Sequence, residues 1–264
     1  MNQRCFYLHK QHIDKTNNHN QPFIFTLVNC KIMDRFTSLL QLDFVLIIRN
    51  KILLVAAVIT ALYAGILQVL PEENFTMVVT TLIFTDPVML GFLFVGVMVL
   101  FEKSGNTLQA LSVSPVRPAE YLWSKATALT LVALAAGLIM AVAGVGIRFH
   151  AGYLVAAIVS SSLLFIFIGF VGVSRVKTFN QYFIVIPLFM IPGFLPFLNY
   201  FGITETWLWY VIPTQAALTL FIAAFSESGT VAIHETIYAF IYLPLAIWLA
   251  FLWARSSWNK IMER

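Results

Sequence analysis

Charge is what this sequence has least of. Only 12 of its 264 residues are Asp or Glu and 16 are Lys or Arg, 11% in all, against about 25% in an average globular chain. That is too little to coat a water-soluble globule. The 60% share of apolar residues also excludes a disordered chain for the main body. Cysteine is nearly absent. Cys5 and Cys30 both precede the hydrophobic body, so no disulfide or zinc framework organises it. No Gly-x-x-x-x-Gly-Lys-Ser/Thr phosphate loop occurs, nor any Gly-x-Ser-x-Gly nucleophile setting. What is abundant is aromatic and aliphatic: 24 Phe, 9 Tyr and 6 Trp, with a mean hydropathy of +0.85. Such a surplus faces lipid, and its aromatics belt the membrane interfaces. The net charge of +4 reads as Lys and Arg retained on one membrane side rather than as a nucleic-acid footprint.

A membrane-crossing helix takes about 20 apolar residues. Runs of that kind cover residues 52–70, 77–101 (interrupted by Asp86-Pro87), 126–147, 152–173, 180–198 (with Pro187, Pro192 and Pro196) and 231–254 (with Pro244). The stretch 199–229 is apolar but too punctuated by Gly202, Glu205, Pro213, Glu227 and Gly229 to span. The expected fold is therefore an all-α integral membrane protein of six transmembrane helices, with an outer re-entrant or interfacial segment before the last. Fifteen of the sixteen cations fall before the first span, in the second-to-third and fourth-to-fifth loops, or in the tail. Arg148 alone falls on the other side. By the positive-inside rule both termini are cytoplasmic in a multi-pass protein of the cell membrane.

Residues 1–33 differ in composition and read as a disordered extension, leaving 34–264 as the six-span domain. Cys5, His9, His12 and His19 there fit no metal-ligand spacing. From Asp34 to Lys51, Phe36, Leu39, Leu40, Asp43, Phe44 and Ile47 recur at spacings of three and four. That pattern describes an amphipathic elbow helix lying in the cytoplasmic interface. The alternative is an extension of the first span with Arg49 and Lys51 snorkelling.

The chemically distinctive loop runs from Glu102 to Pro118. Glu102 and Lys103 mark the membrane exit, Gly105 follows, Leu108 and Leu111 share one side, and Pro115 and Pro118 stop any helix. Glu120, Tyr121, Leu122 and Trp123 make an interfacial anchor before Lys125. A short helix held under the bilayer between two spans can transmit force from a cytoplasmic partner.

The run Phe101-Glu-Lys-Ser-Gly-Asn-Thr-Leu-Gln-Ala-Leu-Ser-Val-Ser-Pro-Val-Arg-Pro, followed by Tyr121-Leu-Trp-Ser-Lys125, resembles the permease subunits of type-2 ATP-binding-cassette exporters. Asp86-Pro87-Val-Met-Leu-Gly91-Phe-Leu-Phe-Val-Gly96 resembles the fluoroquinolone or drug-export branch of that family. Asn106 departs from the tighter Gly-Thr of many members. The resemblance implies a non-enzymatic pathway subunit, half of a homo- or heterodimer, that exports drugs or other hydrophobic compounds. No cofactor is expected on this chain, and ATP and Mg belong to separate ATPase subunits. The ATPase-coupling residues implied are Glu102, Lys103, Gly105, Thr107, Leu108, Leu111, Pro115 and Arg117. The other partners are the second protomer and the lipid bilayer, with no nucleic acid.

Inside the spans Asp86 is the candidate substrate-pathway residue, since an ionised group in hydrocarbon costs about 2.5 kcal/mol or more. A second reading makes Thr85-Asp86-Pro87 a helix start, with a cap followed by Pro at the first helical position. Ser160, Ser161 and Ser162 fit close helix packing. Two other functions fit the sequence less well. An intramembrane protease lacks its catalytic pairs here: His150 and His234 are at outer edges and Glu72-Glu73 is in a loop. An ion-driven secondary carrier would show inverted repeats and several intramembrane charges, whereas Asp86 stands alone.

Overall fold

The computed structural model describes residues 20–69, 75–105, 108, 116–204, 206–226 and 233–258. Among the described residues all regular structure is helical: α1 (Asn20–Arg49), α2 (Ile52–Leu67), α3 (Phe75–Ile83), a π segment (Phe84–Val88) and α4 (Met89–Ser104). Then come α5 (Pro118–Val145), α6 (Ala151–Val173), α7 (Phe179–Phe194), α8 (Phe197–Tyr200), a 3₁₀ turn (Trp207–Val211), α9 (Pro213–Phe225) and α10 (Ile233–Ser256). Among the described residues four helical runs are long and apolar enough to cross a bilayer: 76–104, 118–145, 151–173 and 234–256. A bent pair, Arg35–Arg49 with Ile52–Leu67, makes a fifth if taken as one span.

The bend between α1 and α2 is 64°. It is made at Lys51, whose φ of 58° is left-handed and breaks the helical path. The expected elbow stretch thus ends at a real corner. Helix α1 begins at Asn20, inside the stretch expected to be a disordered extension. Residues 1–19 lie outside the described ones.

The second span does not restart at Pro87. Proline lacks an N–H and its ring crowds the carbonyl four residues back, so an unbroken α-helix cannot pass through it without adjustment. Here the helix widens into the π segment, and the Met89 N–H reaches Phe84 O. Thr85 turns its hydroxyl back to Thr81 O at 2.8 Å. The capped-start reading of Thr85-Asp86-Pro87 is therefore corrected: the turn is continuous, with no side-chain cap on it.

Helix α6 is the centre of the bundle, packed by α4, α5, α9 and α10. Gly169 brings α4 close: a Cβ there would lie 2.9 Å from Phe92 O. Phe84 of the π segment makes edge contacts with Phe165 of α6, Phe197 of α8 and Phe221 of α9. Helix α7 holds Pro187 and Pro192 inside its 16 residues and ends before Pro196. At 1.5 Å per residue it is about 24 Å long, short of a ~30 Å hydrocarbon core.

Helix α9 falls in the segment expected to be re-entrant or interfacial. Eleven of its 13 residues are buried, so it is a core helix and not one lying on an interface. One end meets the start of α6, where the His150 N–H donates to Ala224 O at 2.8 Å. Before its other end, the hydroxyls of Tyr238 and Tyr242 on α10 donate to Tyr210 O and Val211 O. Tyr242 lies nine residues along α10 from Ile233, about 14 Å by helix rise.

Candidate functional site

The expected loop is rooted in a buried charge cluster. Lys125, in the second turn of α5, is completely buried. Its ammonium lies 2.6 Å from Asp43 Oδ1 on α1 and 2.5 Å from Glu102 Oε1 on α4. Ser124 donates its hydroxyl to Asp43 Oδ2, and Tyr121 donates to Glu102 Oε2 at 2.6 Å. Each of the four carboxylate oxygens thus accepts one bond. The Lys125 ammonium also stands 4.7 Å from the centre of the Tyr121 ring. Tyr121 is packed in turn against Trp258 and Phe170.

A buried ion pair is tolerated only where the desolvation of both charges is met by close attraction and by further hydrogen bonds. This cluster meets both conditions. It joins three helices: α1, the end of α4 from which the loop departs, and α5 to which the loop returns.

The return is built locally. Pro118 occupies the first helical position of α5, where a missing N–H costs nothing. Glu120 reaches back to accept from the Arg117 N–H at 3.0 Å. Helix α5 therefore begins eight residues before the expected span start at 126, and the expected anchor Glu120–Trp123 forms its first turn.

The named loop residues fall in different places. Glu102 faces inward and is held by Lys125 and Tyr121. Lys103 is half-buried in the last turn of α4, where a cation complements the helix dipole. Gly105 is exposed, and its N–H donates to Phe101 O at 3.0 Å. Leu108 is buried, and Arg117 is exposed. Thr107, Leu111 and Pro115 lie outside the described residues. Sequence reasoning missed Asp43, Tyr121, Ser124 and Lys125 as site residues. One signal was present: Asp43 occupies an apolar position of the three-and-four pattern of α1.

Asp86 sits apart from this cluster, 8% exposed, within the π segment. It lines a narrow crevice with Ala56 and Thr60 of α2, Leu90 and Phe94 of α4, and Leu129 of α5. Among the described residues no cation and no hydrogen-bond donor reaches its carboxyl. Thr60 spends its hydroxyl on Ala56 O at 2.7 Å. Among the described residues no cluster of three or more metal-ligating side chains exists.

Residues 34–263 match the model of the fluoroquinolones export permease protein family. Two proteins from separate strains of Mycobacterium tuberculosis, each called a fluoroquinolones export permease protein, are 31% identical to this chain over 212 residues. That alignment covers 80% of this chain and 89% of each relative.

Proposed function

Since the chain belongs to the fluoroquinolones export permease family, we propose that it forms the membrane pathway of an ATP-driven exporter of drugs and other hydrophobic compounds. It works as one half of a permease dimer, and separate ATP-binding-cassette subunits carry out the ATP chemistry. In this reading the six-span topology holds, with α7 and α8 together as a bent fifth span and both termini cytoplasmic. Helix α1 is the elbow along the cytoplasmic interface. Helix α9 is the return limb of an outer re-entrant segment. The levels of its two ends support this, one beside Tyr242 deep along α10 and the other at His150.

The observation that carries the coupling role is the Asp43–Lys125–Glu102 cluster. A loop between two floppy helix ends would absorb a push from a partner. Here the root of the loop is pinned to α1 and α5, so a push on residues 103–117 moves three helices together. Asp86, facing its crevice at mid-span, belongs to the substrate pathway.

The test is affinity purification of the tagged chain from its native membranes. An ATP-binding-cassette ATPase should co-purify with it and be lost when residues 106–115 are replaced by a flexible Gly-Ser linker. If the full-length chain retains no ATPase under mild solubilisation, the partnership fails. The alternative is an ion-driven carrier, against which Asp86 counts by standing alone in its crevice rather than beside further intramembrane charges. Uptake that collapses with ionophores while ATP is saturating would select that reading.

A further inference from the structure

We propose that Asp86 stands in its crevice as the neutral acid, and that one buried water links its hydroxyl to Thr60. The crevice is then a site for a proton and a water molecule. The proposal rests on the exporter reading for the place of Asp86 in the pathway. It deepens that reading by naming what the pathway meets there, an uncharged hydrogen-bonding group.

The loop root shows what this fold does with an ionised carboxylate. Asp43 accepts from Lys125 and Ser124, and Glu102 accepts from Lys125 and Tyr121, so each has a cation and a hydroxyl. Asp86 is nearly as buried, and among the described residues neither kind of partner reaches it. The rest of the crevice lining, from α2, α4 and α5, carries no titratable group, and Thr60 is its one polar side chain. Beside the crevice α2 turns Leu53, Val55 and Leu62 outward, toward lipid and not toward bulk water. An anion there has no counter-charge and too few donors, so the proton stays on the acid.

A neutral acid has one O–H to place. The crevice has space for about one water molecule, with Asp86 and Thr60 as its polar walls. Thr60 donates its own proton to Ala56 O at 2.7 Å, so toward the crevice its oxygen can only accept. A water between the two accepts from the Asp86 hydroxyl and donates to Thr60 Oγ1. Its second hydrogen is left for the carbonyl oxygen of the same acid. The bonds then run one way, from Asp86 through the water and Thr60 to Ala56 O. Thr60 and Ala56 lie on the sparse buried stripe of α2, with Ile52 and Leu67. The chain of bonds therefore fastens that helix to the π segment of the second span.

The test is infrared spectroscopy of the purified permease in nanodiscs at neutral pH. Wild type should show the carbonyl band of a protonated carboxyl, moved by heavy-carbon labelling of the aspartates and lost in Asp86→Asn. Thr60→Val takes away the acceptor that holds the water. It should shift the band upward, to the position of a less hydrogen-bonded acid, whereas Thr60→Ser should leave it in place. A monodisperse profile and a cooperative melt show that the variants fold, and the labelling arm needs no variant. Absence of the band from wild type, or its persistence in Asp86→Asn, overturns the neutral acid. An unmoved band in Thr60→Val overturns the water link. If the band is present but the reconstituted complex shows no ATP-driven efflux, the exporter reading falls and the site stands.

Discussion

The Lys125 ammonium lies 2.5 Å from Glu102 Oε1, with both side chains removed from solvent, at the point where α4 gives way to the loop. That contact decides what Glu102 is for. Read as a loop residue, it is a surface acid for a partner to touch. Held by Lys125 and Tyr121, it fixes the start of the loop to α5. With Asp43 taking the other side of the ammonium, α1 is tied to the same point.

Lys125→Met strands two buried carboxylates. Breaking one partner of such a cluster costs about 3–5 kcal/mol, and the melting temperature of the purified protein should fall accordingly. Replacing all three charges by apolar residues of similar size (Asp43→Leu, Glu102→Leu, Lys125→Met) removes the unpaired charge and should restore most of that stability. Transport is expected to stay lost in the triple variant, because packing alone does not hold the helix register. A triple variant that exports as the wild type does would strip the cluster of any coupling role.

Gly105→Pro removes the N–H that closes the last turn of α4 on Phe101 O and re-aims the loop at its first residue. Membrane insertion should be normal by protease protection, with ATP-driven transport abolished. Normal transport in this variant removes the loop from the mechanism.

Pro87→Ala restores a missing N–H in the second span. Proline inside a helix costs ~3 kcal/mol relative to Ala, so the variant should be at least as thermostable as the wild type. Straightening the π segment rotates Asp86 away from its crevice, and export should drop despite the gain in stability. Thermal melts and transport on the same preparation check both halves.

Glycines in the bundle should sort by the space around them. At Gly169 an added methyl meets the Phe92 backbone, which cannot move aside, and Gly169→Ala should cost about 1–3 kcal/mol. At Gly152 no atom lies within 4 Å of the added carbon, so Gly152→Ala should stabilise by about 0.5–1 kcal/mol through helix propensity alone. Equal effects at the two positions would mean that α4 and α6 are not as close as described.

Much of the helical layout was legible in the sequence, because apolar run length is a direct consequence of bilayer thickness. The run 152–173 differs from α6 by a single residue at its start. The run 126–147 missed the first turns of α5 for a physical reason. A hydropathy window treats Lys125 as a membrane boundary, whereas pairing with Asp43 and Glu102 lets that charge enter the bundle. These partners are 82 and 23 residues away, and no local pattern announces them. Likewise the stretch 199–229 looked too interrupted to span, and α9 within it is indeed a short helix, with Pro213, which breaks the apolar run, in its first turn. Asp86 was visible as an oddity, but that it faces a crevice with no partner among the described residues is a fact of packing.

The most direct measurement is ATP-dependent uptake of a fluoroquinolone into sealed proteoliposomes, prepared without ion gradients and containing the chain with or without its co-purifying ATPase. Uptake should require both proteins and hydrolysable ATP, and should vanish in the triple-charge variant even though that variant is folded. Uptake by the chain alone, or uptake driven by an imposed ion gradient in the absence of ATP, would contradict an ATP-driven pathway subunit.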